Sequence, residues 1–293
     1  KECLDSEKVR NDRKFILTLL DRCGLALQFL SEEFKGDIEL VTAAIKENGK
    51  AIQFSSKKLR QNPEMVRIAL QHDKANKDRQ LVLMLVQENG ISLMHVSKEM
   101  KGDRQIIIAA CLENEVALLW ASEELQRDLD IIKQIFNSKK RTFPRNFILH
   151  ILQRNGLALQ FLSEEFKGDI EIITAAIKEN GKAWLFTSKE IKQNSKLIEI
   201  VFHSDIIKKD REFILTILKE NGVALAYIFE DLKNDREIVI TAVQENGRAI
   251  IFASEELQRD LEIIKVILDS ENLKNDREFI KFLVKKNGLA LQF

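Results

Sequence analysis

The sequence predicts an all-α fold, a right-handed α-solenoid or superhelix of short helix pairs. Three observations predict it. The stretch Gly24 to Glu39, GLALQFLSEEFKGDIE, returns letter for letter at Gly156 to Glu171. An aspartate recurs about every 25 residues ahead of an apolar pattern with helical period. Only two prolines occur in 293 residues, and Leu, Ile, Lys and Glu dominate, a composition that favours helix throughout.

The aspartate serves as a ruler. It stands at Asp12, Asp37, Asp78, Asp103, Asp128, Asp169, Asp210, Asp235, Asp260 and Asp276, with Pro63, Pro144 and Ser195 in the same place elsewhere. The steps run 25, 26 and 15, then 25, 25 and 16, and this sequence of six repeats once more. Each group of three makes a repeat of about 66 residues, as from Asp12 to Asp78, and near-identity returns after two such groups. The repeat is therefore three layers and five helices, with the third layer cut to about 15–16 residues.

Within a long layer the order is constant. Asp37 reads as an N-cap, because its carboxylate accepts from free N–H groups and suits the positive end of the helix dipole. Leu40, Val41, Ala44 and Ile45 form one apolar face. Asn48-Gly49 stops the helix, with glycine expected in the left-handed C′ conformation. Where Glu115 replaces that glycine, the sequence predicts strain, or a left-handed Asn114.

A second, shorter helix follows. It carries a small residue (Ala26, Ala51, Ser92, Ala117), then a large apolar one (Leu27, Ile52, Leu93, Leu118). Next comes an aromatic column: Phe29, Phe54, His95, Trp120, Phe161, Phe186, Tyr227, Phe252 and Phe293. Core packing is the expected role of that column. A serine two residues on, as at Ser31 or Ser122, is expected to cap a last short turn.

The short layer keeps the first helix and lacks Asn-Gly and the second. No linker or composition shift interrupts the pattern, so residues 1–293 read as a single continuous solenoid. The sequence opens inside a short layer and closes inside a second helix, which predicts a fragment of a longer array.

The stretch Asp235–Asp260, DREIVITAVQENGRAIIFASEELQRD, carries the repeat almost whole. It resembles the tandem repeats of domain-of-unknown-function family 4116, over essentially the whole chain. The short third layers depart from that pattern. The resemblance implies an array of helical repeats and no particular activity.

The chemistry-bearing residues point away from a reaction. Paired acids such as Glu32/Glu33 recur as an edge, whereas catalysis needs one tuned constellation. His72, His95, His150 and His203 never fall at equivalent positions, and no H-E-x-x-H or paired C-x-x-C occurs. No catalytic residue, metal or cofactor is therefore predicted, and the chain reads as no enzyme. Lys plus Arg equal Asp plus Glu at 46 each, so the basic excess of a nucleic-acid reader is missing. No apolar run reaches the ~18 residues of a membrane span. Cys3, Cys23 and Cys111 read as buried or half-buried thiols, which fits a reducing intracellular compartment.

Two groups of cations are candidates for binding a partner. Lys50, Lys182 and Arg248 recur after the stop residue of alternate layers. Lys139, Lys140 and Arg141 form the densest basic cluster. The expected function is a non-enzymatic scaffold that binds protein or peptide along an extended solenoid surface. The alternatives are end-to-end self-association into filaments through uncapped ends, and modular nucleic-acid binding.

Overall fold

The computed structural model describes residues 12–138, 143–204, 207–269 and 276–293. Among the described residues all regular structure is helical. Long helices of eight or ten residues open the layers. They are α1 (Arg13–Arg22), α2 (Ile38–Glu47), α3 (Pro63–Leu70), α4 (Arg79–Glu88), α5 (Arg104–Glu113), α6 (Leu129–Phe136) and α7 (Arg145–Leu152). The series continues with α8 (Ile170–Glu179), α9 (Ser195–Phe202), α10 (Arg211–Glu220), α11 (Arg236–Glu245), α12 (Leu261–Leu268) and α13 (Arg277–Lys286).

Contacts group the chain into two compact units, Lys1–Phe147 and Ile148–Phe293. In the first, α1 packs on α2, α2 on α3, α4 on α5 and α5 on α6. In the second, α8 packs on α9, α10 on α11 and α11 on α12. Each layer thus buries its apolar face on its neighbours, as a single repeat cannot do alone. The buried face falls three, four, seven and eight residues past the cap. In α2 these are Leu40, Val41, Ala44 and Ile45, and in α8 Ile172, Ile173, Ala176 and Ile177, all fully buried. Phe15 of α1 departs from the pattern and is exposed.

The aspartates cap as expected. Asp37 Oδ1 accepts from the N–H groups of Glu39 and Leu40 at 2.9 and 3.1 Å. The other nine aspartates of the ruler do the same for their own helices. The ruler itself needs a correction at two places. Asn62 and Asn194 are the caps, and Pro63 and Ser195 are the first helical residues behind them. Proline suits that position because its missing N–H has no intrahelical partner anyway. Counting from 12 to 37, 62 and 78 then gives steps of 25, 25 and 16. With Pro144 directly ahead of α7, every later group follows the same steps.

The second helix is a six-residue 3₁₀ helix, as in Gly24–Phe29, Gly90–His95 or Gly222–Tyr227. A turn of three to five residues follows. At Ser31, Ser97, Ser122 and Ser254 the hydroxyl caps that turn, at 3.3–3.5 Å. The short layers pass directly from the long helix to such a turn, Asp73–Asn76 in the first of them.

The joint between the two helices differs from expectation. Among the described residues no φ is positive, in glycine or elsewhere. Asn48 has extended backbone (φ −144°, ψ 108°), and its Oδ1 accepts from the N–H of Lys50 at 3.1 Å. The asparagine therefore caps the start of the 3₁₀ helix. Asn114 does the same at φ −149°, so the expected strain beside Glu115 is absent. Cys23, which stands in the asparagine's place, makes no side-chain cap.

The glycine is required for another reason. A Cβ on Gly24 would stand 2.1 Å from the carbonyl oxygen of Ala44 in the next layer. The same approach joins Gly49 to Ala69, Gly90 to Ala110, Gly156 to Ala176 and Gly222 to Ala242, at 2.1–2.3 Å. A backbone atom cannot swing aside, so at these five joints a side chain would force the layers apart, whereas Glu115 stands at the corresponding place of its own layer.

Filling such a joint should therefore be costly. Gly90→Ala is expected to cost about 1–3 kcal/mol or more by overpacking. Gly102→Ala, which meets no atom within 4 Å, is expected to be neutral or to stabilise by up to ~1 kcal/mol through chain entropy. Urea melts of the two variants check this, and equal losses would contradict it. Cys23→Asn restores the missing cap and is expected to gain about 0.5–1 kcal/mol in the same assay.

Candidate interaction surface

The layers are fastened by side chains that reach from one to the next. The first residue of α1, Arg13, binds the cap carboxylate of α2 through Nη1 to Asp37 Oδ2 at 2.5 Å, and also Glu39 at 2.5 Å. Arg79 binds Asp103, Arg104 binds Asp128, Arg211 binds Asp235 and Arg236 binds Asp260 in the same way. At the far end of the layer the joint glycine donates its N–H to the next layer's glutamate. Gly24 to Glu47 is 2.6 Å, and Gly156 to Glu179 and Gly222 to Glu245 are 2.5 Å. A backbone bond, Ser56 N–H to the carbonyl of Lys35 at 2.8 Å, closes the third side.

Where the short layer lacks its second helix, side chains from the layers on either side bridge the gap. Lys50 Nζ reaches the cap Asp78 at 2.5 Å, and Lys182 reaches Asp210 at 2.6 Å. Arg248 binds Asp276 likewise. Arg60 grips Glu88 with Nε and Nη2 at 2.9–3.0 Å. The structure pairs Lys50, Lys182 and Arg248 with aspartates of their own unit, as struts, and keeps all three at the outward second position of their 3₁₀ helices. In the fourth gap both partners are missing together, because Val116 takes the cation's place and Pro144 the aspartate's. Lys139, Lys140 and Arg141 lie outside the described residues.

Seven of the paired cap carboxylates titrate low as a consequence. Asp37, Asp78, Asp103, Asp210 and Asp235 are held below the usual carboxylate value, first by the hydrogen bond from the neighbouring Arg or Lys. At Asp128 and Asp260 burial pushes upward, and the Arg together with the capped N–H groups outweighs it. Burial pushes the Cys111 thiol up to about 12, so it is inert. Cys23, expected at least half-buried, is exposed. Among the described residues no group of three His, Cys, Asp or Glu side chains is placed to hold a metal ion. No helix of the described residues is long and apolar enough to cross a membrane.

Two surfaces remain. On the long-helix side, open grooves lie between α4 and α5 (about 480 Å³) and between α7 and α8 (about 660 Å³). Leu83, Gln87 and Ala109 line the first, and Leu149, Gln153 and Ala175, their counterparts one repeat later, line the second. They are one groove repeated.

The 3₁₀ side is richer. Three residues per turn align positions 1, 4 and the residue after the helix inward, and positions 2 and 5 outward. Leu27 and Leu30 are buried accordingly, and Leu93 with Val96 repeat them. Ile91, Met94, Leu185, Val223 and Ile251 occupy the outward positions and are exposed. The aromatic column, expected in the core, lies on the flank. Phe54, His95, Trp120, Phe161, Phe186, Tyr227 and Phe252 are half-buried, and Phe29 is 52% exposed. The large buried residue is the one before it by two, Trp184 among them at 0%. Burial, then Arg67 and Lys101, lowers the His95 pKa, which keeps that ring neutral at pH 7.

Three and four residues past each aromatic stand exposed pairs at the tip of the turn. In the first unit these are Glu32-Glu33, Lys57-Lys58, Lys98-Glu99 and Glu123-Glu124. In the second they are Glu164-Glu165, Lys189-Glu190, Glu230-Asp231 and Glu255-Glu256. Five acids against three lysines leave the first row at −2, and seven against one leave the second at −6.

Stacked helical layers with a repeated apolar row define a tandem helical-repeat protein. The family model described as "Domain of unknown function (DUF4116)" matches in tandem at residues 12–60, 37–75, 78–126, 145–192, 210–258, 237–268 and 270–293. The chain belongs to this family. Segments 12–60, 78–126, 145–192 and 210–258 each hold two long layers, whereas 37–75 and 237–268 run from a long layer into a short one. No curated protein and no solved structure matches the chain significantly.

The low cap carboxylates set an acid limit. A carboxylate with a depressed folded pKa adds stability that is complete above its unfolded value, about 4, and lost as pH falls through the folded value. Asp78→Asn keeps a side-chain cap of the kind Asn62 uses but removes the charge. It is expected to cost about 0.2–1 kcal/mol at pH 7, because the pair is partly solvated. The gap to wild type should narrow as pH falls below about 4 and Asp78 itself becomes protonated. Urea melts at pH 7, 4 and 2 check it, and a gap unchanged at pH 2 would contradict it.

Proposed function

We propose that the chain is a non-enzymatic repeat scaffold that binds protein or peptide segments along the outward 3₁₀ face. The carrying observation, in each unit by itself, is the row of half-buried aromatics, flanked by exposed Ile91 and Met94 in the first and by exposed Leu185, Val223 and Ile251 in the second. Exposed apolar side chains that recur at one structural position differ from the scattered ones any surface carries. They offer a partner a rigid, already ordered surface, which lowers the cost of binding.

Nucleic-acid binding finds less support. The recurring cations are spent on Asp78, Asp210 and Asp276, and the net charge is zero. End-to-end assembly would use other surfaces than this row.

A random-peptide display selection against the folded chain tests the reading. Enriched peptides should bind wild type and lose about tenfold or more, roughly 1.4 kcal/mol, against Leu185→Ser with Ile251→Ser. Both residues are exposed, so the fold should change by no more than about 0.5 kcal/mol. A selection that enriches nothing, or peptides indifferent to the double variant, would overturn the proposal.

A further inference from the structure

The two units share a backbone plan and differ in the charge beside the aromatic row. The acidic tips of the second unit stand at −6 against −2 in the first. Lysines and arginines on the inner side of the turns bind some of these acids in both units, as Lys35 does Glu32 and Lys167 does Glu164. Such pairs fall on Glu32 in the first unit and on Glu164, Glu230 and Glu255 in the second, which narrows the difference without reversing it. The units as wholes agree with it. Residues 148–293 carry 24 acids and 21 bases, and residues 1–147 carry 22 acids and 25 bases.

The transverse layout of the second unit is ordered. Lys182 and Arg248 take outward second positions, as Val223 does, and are paired with their cap aspartates. Beside them lies the aromatic flank. Beyond it, three and four residues past each aromatic, stand exposed carboxylates, Glu165, Asp231 and Glu256 among them. An incoming cation therefore meets carboxylates at the tips, while the two cations of the face already have counter-charges. The ring faces of Phe161, Phe186, Tyr227 and Phe252 add sites where a Lys or Arg head group is held by the π-electrons.

We propose that this face of the second unit docks a cationic peptide segment in which Lys or Arg alternates with apolar residues. The inference rests on the scaffold reading above and adds the partner's chemistry. Apolar side chains of the segment cover the row, and its cations reach the acidic tips. The first unit, with Lys57, Lys58 and Lys98 on the same edge, holds such a segment less tightly.

Three fluorescein-labelled peptides of one length test it, with apolar residues alternating with Arg, with Glu or with Ser. The Arg peptide should bind the full chain most tightly and weaken with added salt. Reversing the second-unit tips together (Glu165→Lys, Asp231→Lys, Glu256→Lys) should cost about tenfold or more in affinity, as loss of a complementary charge row does. The matching first-unit triple (Glu33→Lys, Glu99→Lys, Glu124→Lys) should change affinity by less than about threefold. Thermal melts of both triples confirm that each is folded, since all six sites are exposed. Equal losses in the two triples, or an Arg peptide no tighter than the others, would overturn the proposal. If the Ser or Glu peptide binds and responds to Leu185→Ser with Ile251→Ser, the cationic partner fails while the scaffold reading stands. If no peptide binds and the display selection is empty, both fail.

Discussion

The approach of a joint glycine to the carbonyl oxygen of an alanine in the next layer sets the spacing on which the other contacts rely. With a Cβ at Gly24 or Gly156 the layers would have to part, because the obstacle is backbone. Once they meet at that distance, Glu47 reaches the N–H of Gly24 and Ser56 reaches the carbonyl of Lys35. The core helices pack with small residues, Ala44 or Ala176, at the same level. Steric, polar and apolar contacts thus share one requirement. The recurring pairs of Gly24 with Ala44, Gly90 with Ala110 and Gly156 with Ala176 record it in the sequence at one constant interval.

The second constraint is electrostatic. One carboxylate caps a helix and receives a cation from the preceding layer. The chain keeps both halves of this pairing or neither. Arg104 precedes Asp128 and Arg236 precedes Asp260, whereas Ile38 and Ile170 precede the neutral caps Asn62 and Asn194. Lys50, Lys182 and Arg248 each have an aspartate across the short layer, and Val116 has Pro144. A buried or half-buried charge without its partner is costly, so the halves change together. Because the strut cations serve the stack, the chemistry left for a partner lies on the 3₁₀ face.

That face exists because of helix type. In a 3₁₀ helix residues three apart eclipse, so the first and fourth residues and the one after the helix point inward, and the aromatic stands in one column with the small residue, on the flank. The result is an ordered apolar row with variable tips beside it. DUF4116 membership fixes the layer plan, and the tips are where the two units of one chain differ in charge. Identical scaffolds with different edges are how repeat proteins diversify what they hold.

Much of this was legible in the sequence. Asp caps, the apolar face at Leu40, Val41, Ala44 and Ile45, the short third layer and the family resemblance all follow from local rules, because capping and helical periodicity act within a few residues. The register slip at Asn62 and Asn194 came from ranking Pro and Ser above a neighbouring Asn that makes the same hydrogen bonds. Tertiary structure alone decided three things. Glycine serves close approach rather than a left-handed turn, since the atom it avoids belongs to another layer. Lys50, Lys182 and Arg248 pair with Asp78, Asp210 and Asp276 across an intervening layer, a pairing that no local pattern marks. And the aromatic row stands at the surface because the second helix is 3₁₀, a choice that six residues of sequence pattern are too few to reveal.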